Sequence, residues 1–462
     1  MASSMAWLAP DARGERVAWR RLAGFRSRWY GCVGPWADAL FELADAVLCA
    51  GGPVCSLPRL SLEPVFGRGH GSVYAALARG AVNVEAVEDL LAAARPRSWP
   101  LVFAVDGTSW PRCDAEASPG RGFYYHPSRH SAGKPIVAGW WYQQVSQLNF
   151  DRDSWTWPAG CRRIHPREDP VAATVRQVRG LLARLGPAAA VPLFAFDGGY
   201  DPIALADGLA ADRAQLLVRI KGDRVFYGDP PPRAPGGRGR PRRHGARFDC
   251  KKRPTWGPSA AQLTTRDGGY GTVRVTAWRG LHPMLAARGR WAGRGQTPIV
   301  RGWVIRVDVE HLPRPLGRVK KILWLWWSGP PGMTPDLGLC WRAYLHRFDI
   351  EHAIKFQKSV LGWVTPALRH PEQADLWTAV ILAASAQLVL TRPLAADQRL
   401  PWERPRHPAR LTPGRVRRDF CRVRALLPPV TNPRKPCAAG PGRPTGSTTG
   451  PAQRYPAIKK AA

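Results

Sequence analysis

Two short runs, PLVFAVDG at 100–107 and VPLFAFDGG at 191–199, do most to restrict the fold. Each is continuously apolar rather than alternating, and each ends in Asp followed by Gly. Continuous apolarity over so few residues marks a strand covered on both faces, as in the parallel part of an α/β sheet. A long strand candidate, KPIVAGWWYQQVSQL (134–148), and an amphipathic helix, PVAATVRQVRGLLARLG (170–186), lie between them, and a further strand, AQLLVRIKGD (214–223), follows. This order of elements predicts a mixed α/β sheet. Asp106 and Asp197 would each close a buried strand and emerge at the sheet's C-terminal edge, where ligand and metal sites of open α/β sheets gather. Asp-Gly also makes turns, so a single such Asp says little and two in one sheet say more. Asp201, in GYDPI, reads as the N-cap of a helix instead.

The flanking segments have a different texture. Residues 1–97 form an N-terminal helical domain, with helices in WADALFELADAVLCAGG, GHGSVYAALARG and NVEAVEDLLAAARP, the last opened by Asn83. Short helices with tight glycine-containing connections suit a helix-turn-helix-like DNA-binding unit, and equally a plain helical bundle. Residues 98–223 hold the first part of the α/β core. Residues 224–335 read as a β-rich insertion: a basic Pro/Gly loop, PPPRAPGGRGRPRRHG, then strands in GTVRVTAWRG, PIVRGWVIRVDVE and KKILWLWWSG. Residues 336–395 complete the core. From 396 to 462 the chain is rich in Pro, Arg and Gly; RVRRDFCRVRALL could form a basic helix, and the rest is expected to be a disordered basic tail.

Charge narrows the partners. There are 68 Lys+Arg against 34 Asp+Glu, a net of +34. Such an excess repels itself unless a polyanion sits against it, and nucleic acid is the natural one. A membrane is not expected: MASSMAWLAPDARGER lacks a cationic stretch followed by an apolar one, and the run TAVILAASAQLVL (378–390) is too short to span a bilayer and reads as a buried helix. The nine cysteines include no CxxC pair, which predicts reduced thiols, no zinc site and a cytoplasmic, nucleoid-associated protein.

The segment WRAYLHRFDIEHAIKFQKSVLGW (341–363) reads as one helix. At about 100° per residue, Tyr344, Arg347, Glu351, Lys355 and Lys358 fall within an arc of roughly 80°, while Asp349 lies about 140° from Tyr344. A solvated charged face with i,i+4 pairs such as Glu351–Lys355 would account for many such patterns. It accounts less well for the tyrosine in the stripe.

The spacing Tyr344-x2-Arg347-x3-Glu351-x6-Lys358 resembles the YREK signature of IS4-type DDE transposases. VDGT and FDGGYD resemble the first and second Asp blocks of that family, and GFYYHPSRHSAGKPIVAGWWYQ and HPEQADLW are similar to blocks of IS701-like transposases from actinobacterial insertion sequences. The resemblance covers roughly residues 100–395. It implies an RNase H-like fold and metal-dependent DNA strand cleavage and strand transfer. It also implies an acid triad, Asp106, Asp197 and Glu351, binding two Mg²⁺ ions, with Mn²⁺ as a substitute. Tyr344, Arg347 and Lys358 would hold the element's terminal DNA, and synapsis of two ends would need a homodimer. Carboxylates suit Mg²⁺ because it prefers hard oxygen ligands, and paired ions activate the nucleophile and stabilise the leaving oxygen.

Other candidates are weaker. Arg238 and Arg240, in an Arg-Gly-Arg-Pro segment similar to an AT-hook, could enter a narrow minor groove or bind phosphates without sequence preference. The tryptophans of WLWW (324–327) are expected mainly in the core. His126, His130 and His352 have no metal-ligand spacing and receive no role. Two other readings remain: an inactive transposase-derived DNA-binding protein, and a glycosidase using paired carboxylates. The cation-lined helix and the net charge argue against the second.

Overall fold

The computed structural model describes residues 12–126, 135–151, 153–187, 190–233, 239–312, 322–434, 445–448 and 450–459. The chain opens with α1 (Ala12–Gly31), α2 (Ala37–Cys49), α3 (Leu57–Leu60), α4 (Gly71–Arg79) and α5 (Val84–Ala94). Asn83 caps α5 by accepting from the Ala86 N–H at 3.0 Å, as its position before an apolar-periodic run predicts.

The centre is a ten-stranded mixed sheet. Its first half contains β1 (Val102–Pro111), β2 (Gly122–Tyr125), β3 (Ile136–Leu148), β4 (Thr156–Ile164), β5 (Leu193–Phe196) and β6 (Gln215–Ile220). β1, β5 and β6 are parallel neighbours; β3 runs antiparallel to β1 and pairs with β2 and β4. Helices α6 (Pro170–Leu185) and α7 (Pro202–Gly208) connect the parallel strands. Asp201 caps α7, accepting from the Ile203 and Ala204 N–H groups.

Both faces of the parallel part are covered, which is why its strands lack polar alternation. Phe103, Val105, Phe194, Phe196, Leu216 and Val218 pack with Val175, Val178 and Leu181 of α6 and Leu205 of α7. The alternate residues, including Val102, Ala104, Leu193 and Leu217, belong to the larger core shared with the terminal helices.

The strands between 224 and 335 fall in two places. β7 (Val225–Tyr227) and β8 (Arg247–Asp249) form a small hairpin sheet. β9 (Ala261–Asp267), β10 (Gly271–Leu281), β11 (Gly302–Val309) and β12 (Ile322–Ser328) extend the main sheet, with β12 antiparallel to β6. Trp324, Trp326 and Trp327 are all buried, so the three indoles serve the core.

Then come α8 (Leu337–His346), α9 (Asp349–Ser359), α10 (Pro371–Thr391) and α11 (Pro413–Ala425). α10 is apolar on every side and long enough to cross a membrane, yet 83% of its apolar window is buried against α1, α2, α11 and β4. A helix that is hydrophobic all round belongs in a core, and here it is the hub of one. A buried ion pair, Arg26–Asp45 at 2.6 Å, ties α1 to α2, and both partners reach further: Arg26 to Gln387 of α10, Asp45 to Arg424 of α11.

The basic helix expected in RVRRDFCRVRALL is present as α11, and it docks into the core. In α11 Val416, Phe420 and Val423 are fully buried. Arg417 donates to the carbonyls of Val47 and Gly52 at the end of α2, a favourable place for a cation. Arg415 pairs with Asp397, and Asp419 accepts from the Ala396 N–H. Farther on, Tyr455 and Ile458 donate backbone hydrogen bonds to Glu116 and Arg121. Composition alone does not show that α11 is docked, because the docking rests on three apolar residues and buried arginines, which a count of large apolar residues overlooks.

Phe420→Ala should cost about 3–5 kcal/mol of unfolding free energy, read from the urea midpoint. A loss under about 1 kcal/mol would mean that α11 does not belong to the cooperative core.

Candidate active site

β1 and β5 set the first two acids. Their parallel register pairs Val102 with Leu193 and ends at Val105 with Phe196. Asp106 and Asp197 are the next residues on each strand, so they leave the paired region at the same level. β1 itself does not end there: it continues to Pro111 along β3, with Asp106 opposite Gln144. The expectation that Asp106 closes its strand is corrected to that extent. Nor does Gly107 make a turn. A Cβ at Gly107 would meet the Trp141 ring at 2.3 Å, so the glycine makes room for an indole beside Asp106. After Asp197 the chain does turn, and the Asp197 carboxylate accepts from the Gly199 N–H at 2.9 Å.

The stretch 341–363 is not one helix. α8 ends at His346, Arg347 and Phe348 form the junction, and α9 starts at Asp349. His346 and Asp349 bond across the junction at 2.8 Å, which occupies the Asp349 carboxylate. Arg347 is buried at the junction. Its Nη2 donates to Glu351 at 2.6 Å and its Nη1 lies 4.0 Å from Asp106. Tyr344 is half-buried, within hydrogen-bonding reach of the Arg219 and Arg347 guanidinium groups.

Lys358 is also half-buried and donates to the Ser109 carbonyl of β1 at 2.8 Å. Burial pulls its pKa down to about 8, against the pull of Asp106. It holds α9 to β1 and does not stand out as a free cation. Lys355 is exposed.

The acids lie within electrostatic reach of one another. Burial first, and then the Asp197 and Glu351 charges, push the Asp106 carboxyl up to about 6, against the opposing effect of Arg347 and the Gly107 N–H. Their chemistry suits a hard divalent cation. Their arrangement does not: among the described residues, no three His, Cys, Asp or Glu side chains stand together as a metal-binding group. Arg347 stands between Asp106 and Glu351 and supplies the positive charge that an ion would supply. Two of its nitrogens, Nε and Nη1, are buried without a hydrogen-bond acceptor.

This geometry coincides with a family relationship. The family model described as DDE superfamily endonuclease matches residues 30–284, more than half of the chain and the stretch carrying Asp106 and Asp197. The chain belongs to the DDE superfamily endonucleases. Glu351 and its neighbours lie beyond the matched stretch, so their place beside the two Asp rests on the tertiary structure. No curated protein matches the chain.

In this DDE endonuclease the fold adds groups that the sequence pattern had not singled out. Arg219, a lone cation in the apolar strand β6, stands beside Gly198 and reaches Tyr344. A cation in an otherwise buried strand next to FDGG was the available signal. Tyr200 packs on Phe196 and donates to Gln143 at 3.0 Å. Burial, and then Asp106 and Asp197, raise its hydroxyl pKa well above the usual range, so it stays protonated beside the acids. Other candidates lie elsewhere. Arg240 is exposed, and no contact joins it to the acids among the described residues; Arg238 and His130 lie outside those residues. His352 bonds Ser154 at 3.0 Å on the exposed side of α9.

Because the folded-state pKa of Asp106 is raised, its contribution to stability is full at low pH and is lost as pH rises through about 6. With a chelator present, the stability advantage of Asp106→Asn over the parent should therefore grow by roughly 2 kcal/mol between pH 4 and pH 7.5. Urea unfolding at the two pH values measures it, and a constant difference would contradict the burial-driven shift.

Proposed function

We propose that the chain is an IS4-type transposase with an RNase H-like core, which binds the terminal inverted repeats of an insertion sequence and cleaves and transfers DNA strands. One observation carries the reading: Asp106 and Asp197 leave adjacent parallel strands at the same level, and the α8–α9 junction brings Glu351 and Arg347 over them. Membership of the DDE superfamily endonucleases makes DNA the expected substrate, and the net charge of +34 suits it.

In this reading Asp106, Asp197 and Glu351 are the catalytic acids. Endonucleases of this superfamily generally use divalent metals, and Mg²⁺, with Mn²⁺ as a substitute, is the ion for such a donor set. The side chains as placed do not cage two ions, so each role assigned here belongs to a residue of the chain. Arg347 neutralises Asp106 and Glu351 in the absence of DNA. Its Nε and Nη1 make no hydrogen bond, so a small movement that exposes the buried guanidinium would offer both to a phosphate oxygen, a geometry that guanidinium groups favour. Tyr344 and Arg219 extend that contact. Lys358 positions α9 and adds its charge near Asp106. Arg238 and Arg240 are sequence-independent or minor-groove contacts of the basic loop, and the N-terminal helices contribute to end binding. Two such chains, one per element end, form the working dimer in the cytoplasm.

Incubation with a linear duplex that carries the element's end tests this. Nicking should require Mg²⁺ or Mn²⁺. Asp106→Ala, Asp197→Ala and Glu351→Ala should each lower it by at least about 10³-fold while duplex affinity stays within a few-fold. Cleavage persisting in any of the three refutes the acid assignment; binding without cleavage by the parent chain makes it a DNA-binding relative that has lost activity.

A further inference from the structure

The clefts of the helical layer differ in how their charges are settled. In the one between α5, β4 and α10, Arg162 is matched by Glu88 at 2.6 Å and Arg163 by Asp375 at 2.8 Å. A separate cleft of about 410 Å³ lies between α1, the end of α5 and the connection to β1. Arg21, Arg28, Arg95 and Arg97 line it, with Ser98 and Leu390, and among the described residues no carboxylate does.

Among the described residues none of the four guanidinium groups is ion-paired. Arg21 donates one nitrogen to the Ala94 carbonyl and Arg28 one to the Gly24 carbonyl, which leaves the remaining donors of both uncommitted. Arg95 is half-buried, and its pKa is lowered by burial first and by the Arg97 charge second. A partly desolvated cation held beside a like charge is costly unless an anion joins it. Cations near the C-terminus of α5 are favoured by the helix dipole, which accounts for Arg21 at the Ala94 carbonyl. It does not account for four arginines facing one cleft while acids elsewhere in the layer are shared out among other arginines.

We propose that this cleft is a phosphate-binding site for the backbone of double-stranded DNA, separate from the acids and their neighbouring cations. Guanidinium forks match phosphate oxygens in pairs, and the lining offers donors but almost no acceptors. The site therefore grips the backbone and positions the duplex without reading bases. This proposal rests on the DNA-binding part of the proposed function and not on cleavage.

The test uses the full chain and Arg28→Gln/Arg97→Gln, two exposed positions whose replacement leaves the buried core untouched. Anisotropy of an arbitrary labelled duplex is followed from 50 to 300 mM salt. The double variant should bind at least about tenfold more weakly at low salt, with the slope of log affinity against log salt reduced by about 2. The loss should be equal across duplex sequences, and Arg28→Lys/Arg97→Lys should recover most of the slope. An unchanged slope and affinity overturn the proposal, as does a loss confined to one sequence. In a parallel arm, melting is compared in inorganic phosphate and in chloride at equal ionic strength. A phosphate-specific rise that the variant loses, with duplex binding intact, would make this a free-anion site and overturn the DNA assignment. Nicking of the same duplex by the parent chain is scored separately: failure to nick with the salt effect present counts against the transposase reading alone.

Discussion

The register of β1 against β5 is the constraint from which the candidate site follows. Four parallel pairs, from Val102–Leu193 to Val105–Phe196, bring two Asp residues ninety-one positions apart to the same level of one sheet. The four-residue strand β5 is buried throughout, with α6 and α7 on one face and the larger core on the other. A slip of one residue would turn Phe194 and Phe196 out of their cluster and move Asp197 off the level of Asp106. The same packing that fixes the core therefore fixes the acids.

Charge is organised around that constraint. Burying Asp106 within electrostatic reach of Asp197 and Glu351 is unfavourable, and its raised pKa reports the cost, burial first. Arg347 offsets it from the junction of α8 and α9, pairing with Glu351 four residues on and lying 4.0 Å from Asp106. Elsewhere in the molecule most acids are shared among arginines, as at Arg26–Asp45–Arg424 and Arg162–Glu85–Glu88. The excess of cations is left for surfaces and clefts without acids, where a polyanion can satisfy it.

The two ends of the chain close over the same helix. α1 and α2 from the start and α11 from near the end pack on α10, so the helical layer is one body built from distant segments. α9 leads into α10 through the connection after Ser359; it packs on β1, β3 and β4, and Gln357 donates to Ser385 of α10.

Much of the fold was legible in the sequence. The buried strands, the long β3, α6, the Asn83 and Asp201 caps and the core fate of WLWW all follow from local pattern: apolar runs, helical periodicity and capping chemistry depend on near neighbours. The acids were legible as types at suggestive positions. The strands β2, β4 and β9 were not, because short or mixed-polarity strands are defined by their partners. Nor was the end of α8, since nothing in RFDI rules out a continuous helix. The contacts of Arg347, Lys358 and Arg219, and the docking of α11, emerge only in three dimensions. By itself the sequence determined which segments are strands and helices and which residues carry charge. The tertiary structure alone decided which charges face each other, because that depends on packing distances between segments far apart in the chain.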